Sequence, residues 1–366
     1  MQHTFSRGFR CAIVCAALMA MRFAPLAKAD IEYNVVDLGT LGGNYSQAYA
    51  INNSGQVVGV ATLAGGQEHA FLYQNGSMVD LGTLGGSYSQ ATAINNSGVI
   101  VGTTADSTGQ PLGFIYKNGA MTALPALPNT TIIHVNGIND FGQVVGNFKS
   151  SDAADYPHAA NSQPFIYSGG VVTPIPTVSF SGNGYAINNS GVVVGFLFSG
   201  NPVSGGSPFR YENGQFSPVP SNILSGAASA INGAGQIAGN IGYAETASRA
   251  FIWQGDSATL WDDGFPLGIN STGEIVGTTQ VGLAFVYKNG TFSYLQFLVD
   301  PSSNLRLTSA DGINDLGQIV GYGKTPDGSE HAFLLNPTPE PTTIAIVGVA
   351  ASFLLVRRRP HGAHPH

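Results

Sequence analysis

Ile51-Asn52-Asn53-Ser54-Gly55-Gln56-Val57-Val58-Gly59 is the stretch on which the fold turns. Two apolar stretches flank Asn-Asn-Ser-Gly, the composition of a hairpin built on a type I turn with a left-handed glycine. Asn bonds its own backbone ahead, and Gly takes positive φ without a Cβ penalty. The phrase, Ile-Asn-x-x-Gly-x-x-x-Gly, begins again at Ile94, Ile138, Ile187, Ile231, Ile269 and Ile313, at intervals of 43, 44, 49, 44, 38 and 44 residues. The residue before each Ile is Ala or Gly (Ala50, Ala93, Gly137, Ala186, Ala230, Gly268, Gly312), as a crowded strand near a central axis requires.

Two further phrases keep the same period. Phe followed two residues later by an aromatic occurs at Phe71/Tyr73, Phe114/Tyr116, Phe165/Tyr167, Phe209/Tyr211, Phe251/Trp253 and Phe285/Tyr287, and ends imperfectly at Phe333/Leu335. A short apolar strand follows an Asn-Gly or Gly-rich turn, best seen in Asn75-Gly76-Ser77-Met78-Val79-Asp80-Leu81. Each unit therefore offers four short strands joined by tight turns, the signature of a β-propeller blade. The expected fold is all-β, a seven-bladed β-propeller over residues 30–336. The unmatched strand near Asn34–Leu38 would close the last blade, which ends at Leu335, and so remove the exposed edges. A β-solenoid is the alternative, but its rungs leave unexplained a strand missing at one end and present at the other.

Composition narrows the function classes. All 21 acidic residues lie between Asp30 and Glu340, while that span holds seven basic residues, so the body carries about −14. Such a field repels nucleic acid and anionic lipid. Both cysteines, Cys11 and Cys15, fall in the N-terminal segment, so a body without it has neither disulfides nor cysteine–metal sites. The same segment, residues 1–29, reads as a secretory signal: Arg7 and Arg10, the apolar run Cys11–Met21, then Ala27-Lys28-Ala29 as a small-x-small cleavage site.

The C-terminus, residues 337–366, has three parts. Pro339-Glu340-Pro341 precedes an apolar run from Ile344 to Val356, and Arg357-Arg358-Arg359 follows it. The run is short against the roughly 20 residues of a comfortable transmembrane helix, which suits a brief anchor with the arginines cytoplasmic. This order and spacing resemble the PEP-CTERM sorting signal of bacterial surface proteins. The resemblance implies processing by an exosortase near Pro339–Pro341, transient inner-membrane anchoring, and hosts that make extracellular polysaccharide and biofilm. His361, His364 and His366, beyond the arginines, read as a remnant discarded on processing rather than as metal ligands.

The repeats resemble the bacterial extracellular HAF repeat family, through His69-Ala70-Phe71, His331-Ala332-Phe333, Asp80-Leu81-Gly82-Thr83-Leu84-Gly85-Gly86 and Ala93-Ile94-Asn95-Asn96-Ser97-Gly98. The resemblance implies an exported repeat protein and brings no catalytic residues with it. The chain itself lacks a Gly-x-Ser-x-Gly elbow, His-Glu-x-x-His and a phosphate-binding glycine loop. His69 and His331 recur at equivalent positions, as do Asp37 and Asp80, which points to structural work. Asp140 and Asp315 stand singly in turns, too few for a calcium loop. Pattern breaks are the remaining places for a ligand: Asp152, Asp155 and His158 in the longest interval, and Trp261, whose face suits a sugar ring as well as a core. No cofactor is expected. The expectation is a non-enzymatic cell-surface or extracellular protein that contacts exopolysaccharide; the alternative is a secreted propeller enzyme acting on carbohydrate through carboxylates converging at one end of the channel.

Overall fold

The computed structural model describes residues 32–128, 130–150, 162–177, 181–198, 206–242 and 248–338. Within them the chain is a succession of short strands, β1 (Tyr33–Gly39), β2 (Gly42–Ile51), β3 (Val57–Leu63), β4 (Glu68–Gln74) and β5 (Ser77–Asp80) being the first. β2 to β5 pair in order, each antiparallel to the next. Four-stranded sets of the same design follow over 85–123, 130–174, 182–216, 227–262 and 265–294. A last set has three strands of its own, Arg306–Ile313, Ile319–Lys324 and Glu330–Pro337. β1 is its fourth, running antiparallel to Glu330–Pro337 with Tyr33 opposite Pro337 and Asp37 opposite Phe333. The closing strand thus sits where the repeat count places it.

The first strand of each set packs beside the first strand of the next, and that of the last set packs beside β2, so the sets form a ring with these strands innermost. β4 explains what lies between sets. Phe71 is fully buried with Leu38, Val57, Val320 and Ala332, while Leu72 on the other face packs on Val58, Leu81, Ile94 and Ile100. Each such phenylalanine contributes on the order of 1.5–3 kcal/mol of burial.

The second glycine of the repeated phrase has a steric cause. Opposite the bulge between Ala48 and Ala50 in β2, a Cβ on Gly59 would stand 1.9 Å from the Gln47 carbonyl oxygen. The first glycine is the left-handed turn residue, Gly55 at φ +73° and its six counterparts alike.

The buried asparagines of the phrase do more than shape turns. Asn52 Oδ1 accepts from the backbone N–H groups of Ser54 and Gln56, both at 3.0 Å. Its Nδ2 reaches into the next set and donates to the Asn95 carbonyl at 3.1 Å. The same bond runs from Asn95 to Asn139, Asn139 to Asn188, Asn188 to Asn232, Asn232 to Asn270, Asn270 to Asn314 and Asn314 back to Asn52. Sequence reasoning assigns these side chains to their own turns only; the donors close a circle across all seven sets.

Candidate functional site

The inner strands have two ends, and they differ in chemistry. At the end where they finish, six of the seven asparagines, all but Asn232, and all seven isoleucines before them line a recess of about 210 Å³. A second collar lies outside the asparagines. The backbone N–H of Asn53 donates to Asn96, that of Asn96 to Asp140, that of Asp140 to Asn189, that of Ser271 to Asp315 and that of Asp315 to Asn53, all between 2.9 and 3.0 Å. Gly233 has no side chain with which to continue it. Burial pushes the carboxyls of Asp140 and Asp315 up. Hydrogen bonds from Asn189 and Asn96 to the first, and from Asn53 and Ser271 to the second, outweigh it and hold both below the usual carboxylate range. These two acids fasten neighbouring turns, and that use leaves little of them for a ligand.

The opposite end is built from a seam that occurs twice. At the seam between the last set and the first, Glu330 lies beside Tyr45 in a parallel bridge; between the first and second sets, Glu68 lies beside Tyr88 in the same way. A His–Asp pair braces the strands on one side of each seam, and a serine crosses it. His331 Nδ1 meets the Asp37 carboxylate at 2.9–3.0 Å, and His69 Nδ1 meets Asp80 at the same distances. Ser46 Oγ accepts from the Ala332 N–H at 2.8 Å and donates to the Gly39 carbonyl at 2.6 Å. Ser89 does the same with Ala70 and Gly82. Asp37 and Asp80 also accept from the backbone of Gly39 and Gly82, so they serve turns as well as histidines.

These fastenings present two copies of one surface. Tyr45, Gln47 and Glu330 form the first, and Tyr88, Gln90 and Glu68 the second, all half-buried. Gln47 Nε2 donates to Glu330 at 2.5 Å and accepts on its own oxygen from Tyr49 OH at 2.7 Å. Tyr88 OH donates to Gln90. The copies adjoin: burial raises the Tyr45 phenol, and the charges of Glu68 and Glu330 both add to the rise. Tyr88 is pushed up to about 12 by burial, with Glu68 and Tyr45 adding to it. Asp311, on the innermost strand of the last set, joins the group. Burial raises its carboxyl to about 7 against a hydrogen bond from Ser309, and Glu330 adds to the rise. Tyr322 lies near enough to feel both Asp311 and Glu330.

Among the described residues no cation pairs with Glu68, Glu330 or Asp311; the salt bridges that occur join His69–Asp80, His331–Asp37, Arg210–Glu212 and Lys288–Glu274. Nor do the described residues hold a group of three or more His, Cys, Asp or Glu arranged for a metal.

The residues singled out from sequence fall elsewhere. Trp261 lies flat on Tyr287, with ring centroids 4.5 Å apart and planes 6° from parallel. It packs against the cluster of Ala238, Ile275 and Phe285, so one of its faces is committed to the core. Asp152, Asp155 and His158 lie outside the described residues, as do Pro339, Glu340, Pro341 and Arg357–Arg359. No helix among the described residues is long and apolar enough to cross a membrane. The seam was legible only in part. Glu-His-Ala-Phe and Tyr-Ser-Gln each occur twice (Glu68–Phe71 and Glu330–Phe333; Tyr45–Gln47 and Tyr88–Gln90), and each copy of one meets a copy of the other across a boundary between sets.

No family model and no curated protein matches the chain by sequence. Solved structures do. The β-propeller domain of the Trilobed protease from Pyrococcus furiosus aligns with 12% identity over 80% of this chain and 93% of that one, with a TM-score of 0.55. The Pyrococcus horikoshii acylaminoacyl peptidase aligns with 11% identity over 86% of this chain and 55% of that one, with a TM-score of 0.51. At these identities the likeness is one of fold, and the fold is a β-propeller. The Pyrococcus furiosus domain is described as having an open velcro topology, whereas here β1 is zipped to Glu330–Pro337.

Proposed function

We propose that this chain is an exported, non-enzymatic seven-bladed propeller that binds carbohydrate at the duplicated seam. The observation that carries the reading is the pair of adjoining Tyr–Gln–Glu surfaces. Phenol rings supply flat apolar area, and amides and carboxylates beside them supply directed acceptors, the combination by which proteins hold sugar rings. Two copies side by side suit a polymer with a repeating unit, because engaging the second copy becomes intramolecular once the first is filled.

The sorting signal resembled by Pro339–Arg359 would hold the precursor at the inner membrane until an exosortase acts. The geometry adds an orientation. Pro337 lies against Gly317, in the turn that carries Asp315, and Thr338 N–H donates to the Glu32 carbonyl at 2.7 Å. The last described residues thus lie at the asparagine face, and a precursor anchored through the residues that follow would turn the tyrosine face outward. A glycan array probed with the full chain tests the binding. Tyr45→Ala with Tyr88→Ala removes the signal if the seam is the site, and an unchanged array profile rules the seam out.

A second reading, a secreted enzyme acting on carbohydrate, is favoured by one observation. Asp311, whose carboxyl burial raises to about 7, lies near Glu330, so two carboxyls with one raised stand at the same end of the ring. Release of reducing ends from a bound glycan, abolished by Asp311→Asn, would establish that reading against the first.

A further inference from the structure

We infer that the ligand of the duplicated seam is a cationic sugar polymer, one whose amino sugars carry free ammonium groups. The inference rests on the carbohydrate reading above and goes further by fixing the ligand's charge.

Four donors of the cluster are turned inward on its own acceptors: Gln47 Nε2 on Glu330, Tyr49 OH on Gln47, Tyr88 OH on Gln90 and Ser309 Oγ on Asp311. Glu68 and Glu330 pair with no cation among the described residues. A ligand that complements this surface brings positive charge. An ammonium group brings three donors and one charge at a single point, and it is attracted by the faces of phenol rings as well as by carboxylates. A uronic acid or sulfated polymer brings the opposite sign and meets a body of about −14. A fully acetylated amino sugar lacks the charge. Glu330 bridges Tyr45 and Glu68 bridges Tyr88, on the adjacent innermost strands of the first two sets, so the two carboxyls share one stretch of surface.

Isothermal titration calorimetry of the full chain at pH 5.5 tests this with three probes: a glucosamine hexamer, its fully N-acetylated counterpart and an oligouronate of the same length. The free-amine hexamer should bind at least tenfold more tightly than the acetylated one, and the oligouronate should not bind. Glu68→Gln with Glu330→Gln should weaken the free-amine hexamer at least tenfold, while Asp256→Asn, an exposed turn carboxylate in another set, should not. Equal affinity for the free and acetylated hexamers overturns this inference and leaves the carbohydrate reading standing. An equal loss in Asp256→Asn overturns it in favour of unspecific charge attraction. Failure of the unaltered chain to bind either amino-sugar hexamer overturns both. The comparison of probes uses unaltered protein, so it stands even if a variant folds poorly.

Discussion

Asn188 offers the cleanest measurement of what the asparagine circle contributes. Its side chain is 6% exposed and makes three bonds: Oδ1 accepts from the N–H groups of Ser190 and Val192 at 3.0 Å each, and Nδ2 donates to the Asn232 carbonyl at 3.1 Å. Asn188→Ala removes all three. At roughly 0.5–1.5 kcal/mol net for each bond the loss is about 3 kcal/mol. For a chain of this size 1 kcal/mol moves the melting midpoint by about 2 °C, so the expected fall is about 6 °C. Asn188→Asp separates the local bonds from the circle, because it keeps both acceptors and turns the donor into an oxygen facing the Asn232 carbonyl. Only the protonated carboxyl can donate to that carbonyl, so acid restores the bond that the ionised form lacks. Circular dichroism melts at pH 4 and pH 7 should bring the Asp variant closest to the parent at pH 4. Ser190→Ala, an exposed neighbour, should stay within about 0.5 kcal/mol. If Asn188→Ala melts within 1 °C of the parent, the circle is decoration and the reasoning fails.

Three other outcomes are expected. Deleting residues 33–39 leaves the Glu330–Pro337 strand unpaired on one side, and light scattering should then show self-association that a peptide of those residues reverses; a monomer melting like the parent would contradict the closure. Gly59→Ala places a methyl 1.9 Å from the Gln47 oxygen and should cost at least about 1–3 kcal/mol by denaturant titration, since backbone rather than a mobile side chain must give. The carboxylates of the two ends should act oppositely on the pH–stability curve. Asp140 and Asp315, held low, contribute stability present above the unfolded pKa and lost as pH falls through the folded one. Asn at both positions should flatten the acid limb. Asp311, raised to about 7, favours the fold below pH 4 and ceases to as pH rises to 7, so Asp311→Asn should stabilise at pH 8 and change little at pH 3.5.

The sequence made the architecture readable because propeller repeats write their turns in glycine and asparagine. Gly55 and its counterparts need positive φ, and that need is local. So is Asn75-Gly76, with both residues at positive φ in a hairpin tip. The Nδ2 bond from Asn52 to Asn95 spans 43 residues and leaves no mark on its neighbours in the chain, so the circle stayed hidden. The seam was obscured by a different cause. Its residues recur only twice, in phrases that belong to adjacent sets, and a search for what repeats seven times discards them as variation. Trp261 shows the reverse: a break in the pattern that drew notice, yet whose ring lies on Tyr287.

The seven Nδ2 bonds all run in one sense, from each set to the one after it, and the last returns to Asn52. A directed cycle of this kind works as a counter. Inserting an eighth unit or deleting one cannot simply extend or shorten it, because the curvature that brings each carbonyl to the next amide is set for seven partners. Unlike an open solenoid, which tolerates gain or loss of a rung, this chain is constrained to drift within its repeats rather than by their number. Novelty in such a lineage must enter where the units already differ, as the twice-used seam does.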